Sequence, residues 1–314
     1  MYDTIIIGSG PAGITAGIYA ARREMKTLII GKELGGQIVW ASEIENYPGF
    51  KKIDNFDLIS KMNEQVLSLG VEIKTEEVQK IEKKEDYFII HTSKEKYETK
   101  TMIIAMGLSP RRLAIPGEKE FNAKGVTYCA NCDGPFYKNK NVAVVGGGNS
   151  ALDAAEIMSK IAKKVYLIHR REEFKAFEAL IAEVKNKKNI ELVLNSEVKE
   201  ITGSEKVEKI KIFNNQSKKE KEIKVEGVFV EIGRIANTDL VAELAERDER
   251  LQIIVDEKHM TKTPGLFAAG DVVSGEFKQI TIACGQATIA ALAAYQYIQL
   301  KKGKKANVLD RSTD

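Results

Sequence analysis

The sequence predicts an α/β protein made of two doubly wound units, the second inserted into the first. Three observations carry this. A strand, a glycine-rich turn, a helix and a second strand follow one another at the N-terminus, and the same series returns near residue 141. The stretches from first glycine to end of second strand, 8 to 30 and 146 to 168, span the same 22 steps. Ser109-Pro110 and Ile115-Pro116-Gly117 break the pattern before the second copy, and a turn-rich stretch from Gly233 to Asn237 follows it.

Composition bounds the rest. A chain of 314 residues has length for two domains with real cores. Its 48 basic and 45 acidic residues leave a net charge of +3, no footprint for nucleic acid. No apolar run approaches the roughly 20 residues of a membrane span. The N-terminus enters an apolar strand directly, without the features of a signal peptide. Three cysteines fit a reducing cytoplasm, where a Cys-x-x-Cys pair is expected to be catalytic.

The first unit opens with an apolar, β-branched run at 2–7, read as a buried parallel strand. Gly8-Ser9-Gly10-Pro11-Ala12-Gly13 follows at once, then a helix through Arg23 and a strand at 27–30. This is the context that a dinucleotide fingerprint requires. Gly8 permits the tight turn, Gly10 lets a pyrophosphate approach the backbone, and Gly13 lets helix and strand pack closely. The helix N-terminus supplies free N–H groups to the phosphates. The second strand ends at Gly31 without a charge; Glu33 lies within reach of a ribose, and Gly35-Gly36-Gln37 forms a close-approach loop. That suits a nucleotide without a 2′-phosphate, such as FAD. A helix at 55–69 follows, then strands near 71–73, 78–82, 87–92 and 96–99, and an apolar run at 101–105 that ends in Met106-Gly107.

Next comes Cys129-Ala130-Asn131-Cys132-Asp133-Gly134. Such a pair closes into a small disulfide ring, and local electrostatics can activate one thiol. Asp133 offers a carboxyl group to trade a proton with a neighbouring thiolate. Half of a zinc site is the competing reading; it lacks a second pair, since only Cys284 and the scattered His91, His169 and His259 remain.

In the second unit, a strand at 141–145 runs into Gly146-Gly147-Gly148-Asn149-Ser150-Ala151, a helix reaches about residue 161, and a strand spans 165–168. Two such units predict two bound nucleotides. The second strand ends in His169-Arg170-Arg171, with Lys175 beyond, where NAD sites place an acid. Two guanidinium groups suit the 2′-phosphate of NADP. A strand at 190–194, a Lys/Glu-rich hairpin at 198–225 with a solvated face at 218–224, and a strand at 227–232 complete the unit. Beyond it, a short apolar strand ends in Gly270-Asp271, and an Ala-rich helix opens near Gln279-Ile280-Thr281 and runs to about residue 300. Gly270 allows close approach, Asp271 can accept bonds from a ribityl chain, and the helix N-terminus can stabilise charge on a flavin ring. Cys284 reads as a small buried hydrophobe and 301–314 as a solvated tail.

Along residues 2 to about 301 the chain resembles the low-molecular-weight thioredoxin reductases. The motifs that carry the resemblance are GSGPAG (8–13), GGQ (35–37), ENYPG (45–49), CANCDG (129–134), GGGNSALDAA (146–155), HRREEFKA (169–176) and GLFAAGDV (265–272). The resemblance implies two Rossmann-like dinucleotide-binding domains of the three-layer ββα type, with the NADPH domain (116–236) inserted into the FAD domain (1–115 and 237–314). It implies FAD held by the first fingerprint, Gly31, Glu33, the Gly35-Gly36-Gln37 loop, Asn46, Gly107, Gly270, Asp271, Gln279 and Ile280. NADPH falls to Gly146, Gly148, Asn149, Ser150, Ala151, His169, Arg170, Arg171 and Lys175. It further implies a Cys129–Cys132 disulfide in which Cys132 meets the flavin, Cys129 attacks thioredoxin, and Asp133 is the general acid, in a cytoplasmic homodimer.

Three positions depart from the family pattern: Met106 for a common Thr, Ala236 for a common Pro, and Lys175 for a common Arg. The alternative readings are a flavoprotein reductase for another dithiol protein, a ferredoxin-driven or oxygen-dependent dithiol flavoenzyme, against which the retained GGGNSA and HRR motifs stand, and a non-catalytic flavin-binding or zinc-binding module.

Overall fold

The computed structural model describes residues 1–304 except 41, 42 and 45, and only the backbone of Trp40, Glu43 and Cys132. Most of the expected solvated tail, 305–314, and Glu45 of the ENYPG motif lie outside the described residues. The chain divides into two compact units. The first comprises Met1–Val39, Glu43–Ser109 and the chain from Ile235 onward; the second comprises Pro110–Arg234 together with the short stretch at Trp40.

In the first unit, β1 (Tyr2–Ile7) leads into α1 (Pro11–Arg22) and β2 (Thr27–Gly31). Two short strands, β3 (Glu43–Ile44) and β4 (Ile53–Asp54), pair with each other before α2 (Asn55–Ser68). Asp54 caps α2 by accepting from the Phe56 amide at 2.8 Å. There follow β5 (Glu72–Thr75), β6 (Val78–Lys83), β7 (Phe88–Thr92) and β8 (Lys96–Ile104). The sheet runs β5-β2-β1-β8-β7-β6.

Strand β8 does two jobs. Residues 96–99 pair antiparallel with β7, and residues 99–104 pair parallel with β1. The two strands expected at 96–99 and near 101–105 are therefore one, which changes partner midway. Ile5, Ile7, Leu28 and Ile30 pack with Phe88, Ile90 and Tyr97 from the antiparallel part. The neighbouring Ile6 and Ile29 face the other way, against Gly13 and Gly17 of α1. Alternate side chains thus fill opposite faces of a sheet buried on both, as β-branched runs require.

The chain leaves through β9 (Ser109–Pro110). The second unit holds β10 (Val126–Thr127), α3 (Ala130–Asp133), β11 (Asn141–Val145), α4 (Asn149–Ile161), β12 (Lys164–Ile168), α5 (Glu178–Asn186) and β13 (Ile190–Val193). Then come β14 (Ser196–Gly203), β15 (Val207–Asn214), β16 (Glu220–Lys224) and β17 (Gly227–Val230). A five-stranded parallel sheet, β10-β17-β11-β12-β13, forms the middle layer. Val142 and Val144 face α4, with Leu152, Ala155 and Met158. Ala143 and Val145 face the β14-β15-β16 meander, with Val198, Ile201, Ile210 and Ile212. The hairpin expected at 198–225 is a three-stranded antiparallel meander. Its charged residues alternate with buried Val207, Ile210, Ile212 and Ile223, so one face is wet and one is core.

The return runs through β18 (Arg234–Ile235), which pairs with β9. Ala236, a departure from the family pattern, is 1% exposed in the first unit's core. β19 (Leu266–Ala268) then pairs parallel with β8, and α6 (Ile280–Lys301) closes the unit. Both units are Rossmann-like three-layer sandwiches. Among the described residues no helix is long and apolar enough to cross a membrane.

Candidate active site

In the first unit the expected site residues gather at the carboxyl ends of β1, β2, β8 and β19. Gly8 has φ +117°, and a side chain there would meet the Ala105 carbonyl. The Ser9 hydroxyl donates to the Glu33 carbonyl at 2.8 Å, and the Gly35 amide donates to the Ser9 carbonyl at 2.9 Å. Fingerprint turn and following loop are thereby stitched together, with Gly31 packed on Ser9 and Gly10 facing Gly35. Gln37 donates to the Asp271 carboxylate at 3.2 Å, and Asn46 donates to the Gln279 side chain at 3.0 Å. Gly107 lies beside Gln37, and Gly270 lies against Ala12.

Helices α1 and α6 begin here with Gly10 and Gln279 as N-caps; neither has a side-chain cap, and neither carries an acid in its first turn. A helix start left this way offers free N–H groups and positive potential. An FAD pyrophosphate would fit such a start, and the Asp271 carboxylate would offer an acceptor to ribityl hydroxyls. Met106, a departure from the family pattern, packs its side chain partly buried on the core. Cys284 is a free thiol, half-buried rather than buried, whose pKa burial raises; Thr15 and Tyr47 hydrogen-bond it.

The second unit repeats the device. Gly148 is the N-cap of α4, which lacks both side-chain cap and first-turn acid. A side chain on Gly147 would run into the His169 ring, so the glycine lets that imidazole close over the turn. His169 stacks on Phe174 with centroids 5.4 Å apart, and its Nε2 sits 3.0 Å from the Glu173 carbonyl. Burial holds its pKa below the ordinary value, with Arg170 and Arg171 adding to the effect. The Lys175 amide donates to the Gly147 carbonyl at 2.8 Å, and the Asn149 side chain accepts from the Phe177 amide at 2.8 Å. The loop 169–177 is therefore fastened to the turn at both ends. Arg170, Arg171 and Lys175 are left exposed around it. An NADPH with its pyrophosphate on α4 would find its 2′-phosphate among these cations.

The cysteine pair lies in the same unit. α3 carries Ala130 to Asp133. Cys129, just before it, is half-buried. The Thr127 hydroxyl donates to the Asp133 carboxylate and accepts from the Cys129 amide at 3.2 Å. One threonine thus fixes both the Asp133 carboxylate and the backbone of the first cysteine.

A family model described as pyridine nucleotide-disulphide oxidoreductase matches residues 2–287. The chain belongs to this family. Among its relatives, the thioredoxin reductase of Helicobacter pylori is 40% identical over 95% of this oxidoreductase and 99% of its own length. A Clostridium pasteurianum chain, described as a 34.2 kDa protein in a rubredoxin operon, is 41% identical over 94% of this chain and 97% of its own. Among solved structures, the thioredoxin reductase of Lactococcus lactis in its FR conformation superposes with a TM-score of 0.83 at 40% identity, covering 95% of this chain and 99% of that one. The oxidoreductase stands with the low-molecular-weight thioredoxin reductases. It is an FAD- and NADPH-dependent flavoprotein disulfide oxidoreductase.

One residue near the cysteines escaped the sequence reading. Glu231 follows β17, with its amide on the Val145 carbonyl at 2.8 Å and its own carbonyl packed on Gly146. Its carboxylate accepts from the Ala130 amide, at the start of α3. Burial pushes its pKa from 4.5 up to about 7, against the pull of Arg234 and of that amide. A lone acid after four buried strand residues carries no motif, so only the fold reveals it.

The stability consequence has a definite sign. Between pH 4.5 and about 7 the folded state keeps a proton that the unfolded chain releases, so stability falls as pH rises through that window. The full shift corresponds to a loss of up to about 3 kcal/mol at alkaline pH. Glu231→Gln is expected to raise the melting temperature by several degrees at about pH 8 and to change little near pH 4.5. Equal effects at both ends, followed by calorimetry, would refute the buried-acid assignment.

Proposed function

We propose that this enzyme passes electrons from NADPH, through FAD and a Cys129–Cys132 disulfide, to oxidised thioredoxin. The observation that carries the reading is the cluster of Cys129, Thr127 and Asp133 beside an uncapped nucleotide turn in one unit. The first-unit residues gathered around Gly8–Gly13, Gln37 and Asp271 hold the flavin; those around Gly146–Ala151 and His169–Lys175 hold the nicotinamide nucleotide. The domains are 1–115 and 237–314 for FAD, and 116–236 for NADPH. When bound, the two cofactors supply a hydride donor and a two-electron carrier.

The chain's own residues do the sulfur chemistry. In the reduced enzyme, the Cys129 thiolate attacks one sulfur of the partner disulfide; an S–S bond forms, the partner's S–S bond breaks, and the other partner sulfur leaves. Asp133, held by Thr127, delivers a proton to a sulfur that would otherwise carry the charge. Cys132 then displaces the partner from Cys129, which restores the enzyme disulfide and releases the second partner thiol. A cytoplasmic homodimer is the assembly proposed.

The direct test is NADPH consumption with oxidised thioredoxin as the electron acceptor. Turnover supports the reading. Rapid bleaching of the flavin by NADPH without thioredoxin reduction would assign a different dithiol partner.

Cofactor choice is tested separately. Arg170 offers a charge-assisted bond to a phosphate that NADH lacks, with a contribution of about 1.5–3 kcal/mol. Arg170→Ala is expected to lower kcat/KM for NADPH about tenfold or more and to leave NADH nearly unchanged. Equal losses with the two cofactors, measured by steady-state kinetics, would remove Arg170 from the site.

A further inference from the structure

Glu118 is 3% exposed, and its hydrogen-bond partners among the described residues are neutral. One carboxylate oxygen accepts the Leu113 amide at 2.8 Å and the Tyr128 hydroxyl at 2.9 Å; the other accepts the Ala114 amide at 2.7 Å. Burying a carboxylate is costly unless donors surround it. A chain that keeps one there uses it to hold those donors in place.

The donors come from two separate stretches. Leu113 and Ala114 belong to the segment that follows β9. There the backbone is tightly shaped: Ala114 is left-handed at φ 57°, and Gly117, at φ 82°, lies against the Ile201 carbonyl. The Ile201 amide donates to the Pro116 carbonyl at 3.0 Å, which pins the same segment to β14. Tyr128 is the residue before Cys129. Its hydroxyl also accepts from Arg112 Nη1 at 3.1 Å, while that guanidinium lies 5.3 Å from the ring centroid. Burial, and then Glu118, push the Tyr128 pKa up to about 12, so its hydroxyl stays a donor. Thr127 fixes the Cys129 amide, and the Glu118–Tyr128 bond fixes the residue just before it.

We propose that Glu118 is a positioning residue for the redox cysteines: through Tyr128 it ties the 111–117 segment to the backbone of Cys129 and so sets how that sulfur is presented to a disulfide substrate. The proposal rests on the reading of Cys129 as the attacking thiol. Glu118 touches no reacting atom and acts only through Tyr128. Breaking the bond should therefore slow disulfide attack and spare the nicotinamide half of the reaction.

The experiment uses full-length, FAD-loaded enzyme and three variants: Tyr128→Phe, Glu118→Gln and the double substitution. Tyr128→Phe removes one hydroxyl and keeps the ring, so it remains informative if Glu118→Gln folds poorly. Three readings are taken: flavin bleaching by NADPH, kcat with Ellman's reagent and with a thioredoxin, and the pH profile of iodoacetamide alkylation of NADPH-reduced enzyme. Tyr128→Phe is expected to lower kcat with both disulfides about tenfold, the size of one hydrogen bond to a charged group, with bleaching unchanged. It should also displace the alkylation profile, and the double variant should be no slower than the slower single one. Turnover within about twofold of the parent, equal losses in bleaching and turnover, or effects that multiply in the double variant would each overturn the proposal. A parent enzyme that reduces neither disulfide would overturn the reading of Cys129, and the proposal with it.

Discussion

Replacing Cys129 by serine is expected to lower the reduction of thioredoxin about a thousandfold or more, while flavin bleaching by NADPH stays within about twofold of the parent. The size follows from the chemistry. A serine hydroxyl at the same place is almost never ionised near neutral pH, and it cannot form the mixed disulfide through which exchange proceeds. The described contacts of the nucleotide turn do not involve that sulfur: Gly147, His169 and Lys175 meet one another and neighbouring backbone. The fold should survive, because Cys129 is only half-buried and its amide still has Thr127 as an acceptor. The assay pairs stopped-flow bleaching with steady-state turnover. Cys132→Ser supplies the contrast, since it should let Cys129 accumulate as a stable mixed disulfide with thioredoxin. If Cys129→Ser accumulated that adduct instead, the two cysteine roles would be reversed.

How much of this was legible in the sequence depends on how local each feature is. The strands β1 and β11 were readable because both faces of each are buried, which leaves unbroken β-branched runs flanked by glycine turns. Helix α6 was readable over nearly its full length from its alanine-rich composition. β8 was not readable as one strand: it holds Lys100, which reaches Asp3 at 2.7 Å, and such a charge looks like a break until the change of strand partner is seen. The three-strand meander was read as a hairpin because its alternation is half charged, and two turns in one charged stretch resemble one. α3, four residues long, is too short to have a period. The nucleotide turns carry their chemistry in adjacent residues, so spacing alone suggested them. Glu118 and Glu231 act through partners that only the fold brings to them, Tyr128 for the one and Ala130 for the other. No spacing rule connects either acid to the cysteines.

Gly13→Ala is expected to yield enzyme that purifies colourless and unfolds at markedly lower temperature. A methyl group on Gly13 would stand 1.8 Å from the Gly8 carbonyl oxygen and 2.8 Å from its carbon, both backbone atoms of the fingerprint turn. Neither can swing aside as a flexible side chain would. Relief requires α1 to back away from β1, and α1 is packed against both α2 and α6. Overpacking of this kind costs about 1–3 kcal/mol or more. The greater loss falls on the cofactor. A shift of α1 carries its N-terminus, with Gly10 and the uncapped amides, out of register with the loop that Ser9 and Gly35 hold in place. Pyrophosphate binding depends on that register. Gly285→Ala is the matched control: it lies in the interior of α6, no atom stands within 4 Å of the added methyl, and alanine there should stabilise the helix by up to about 1 kcal/mol. The measurements are the flavin absorbance per protein of each purified variant and its thermal melt. A yellow Gly13→Ala enzyme with one FAD per chain and an unchanged melt would show that the first unit does not hold its nucleotide at this turn.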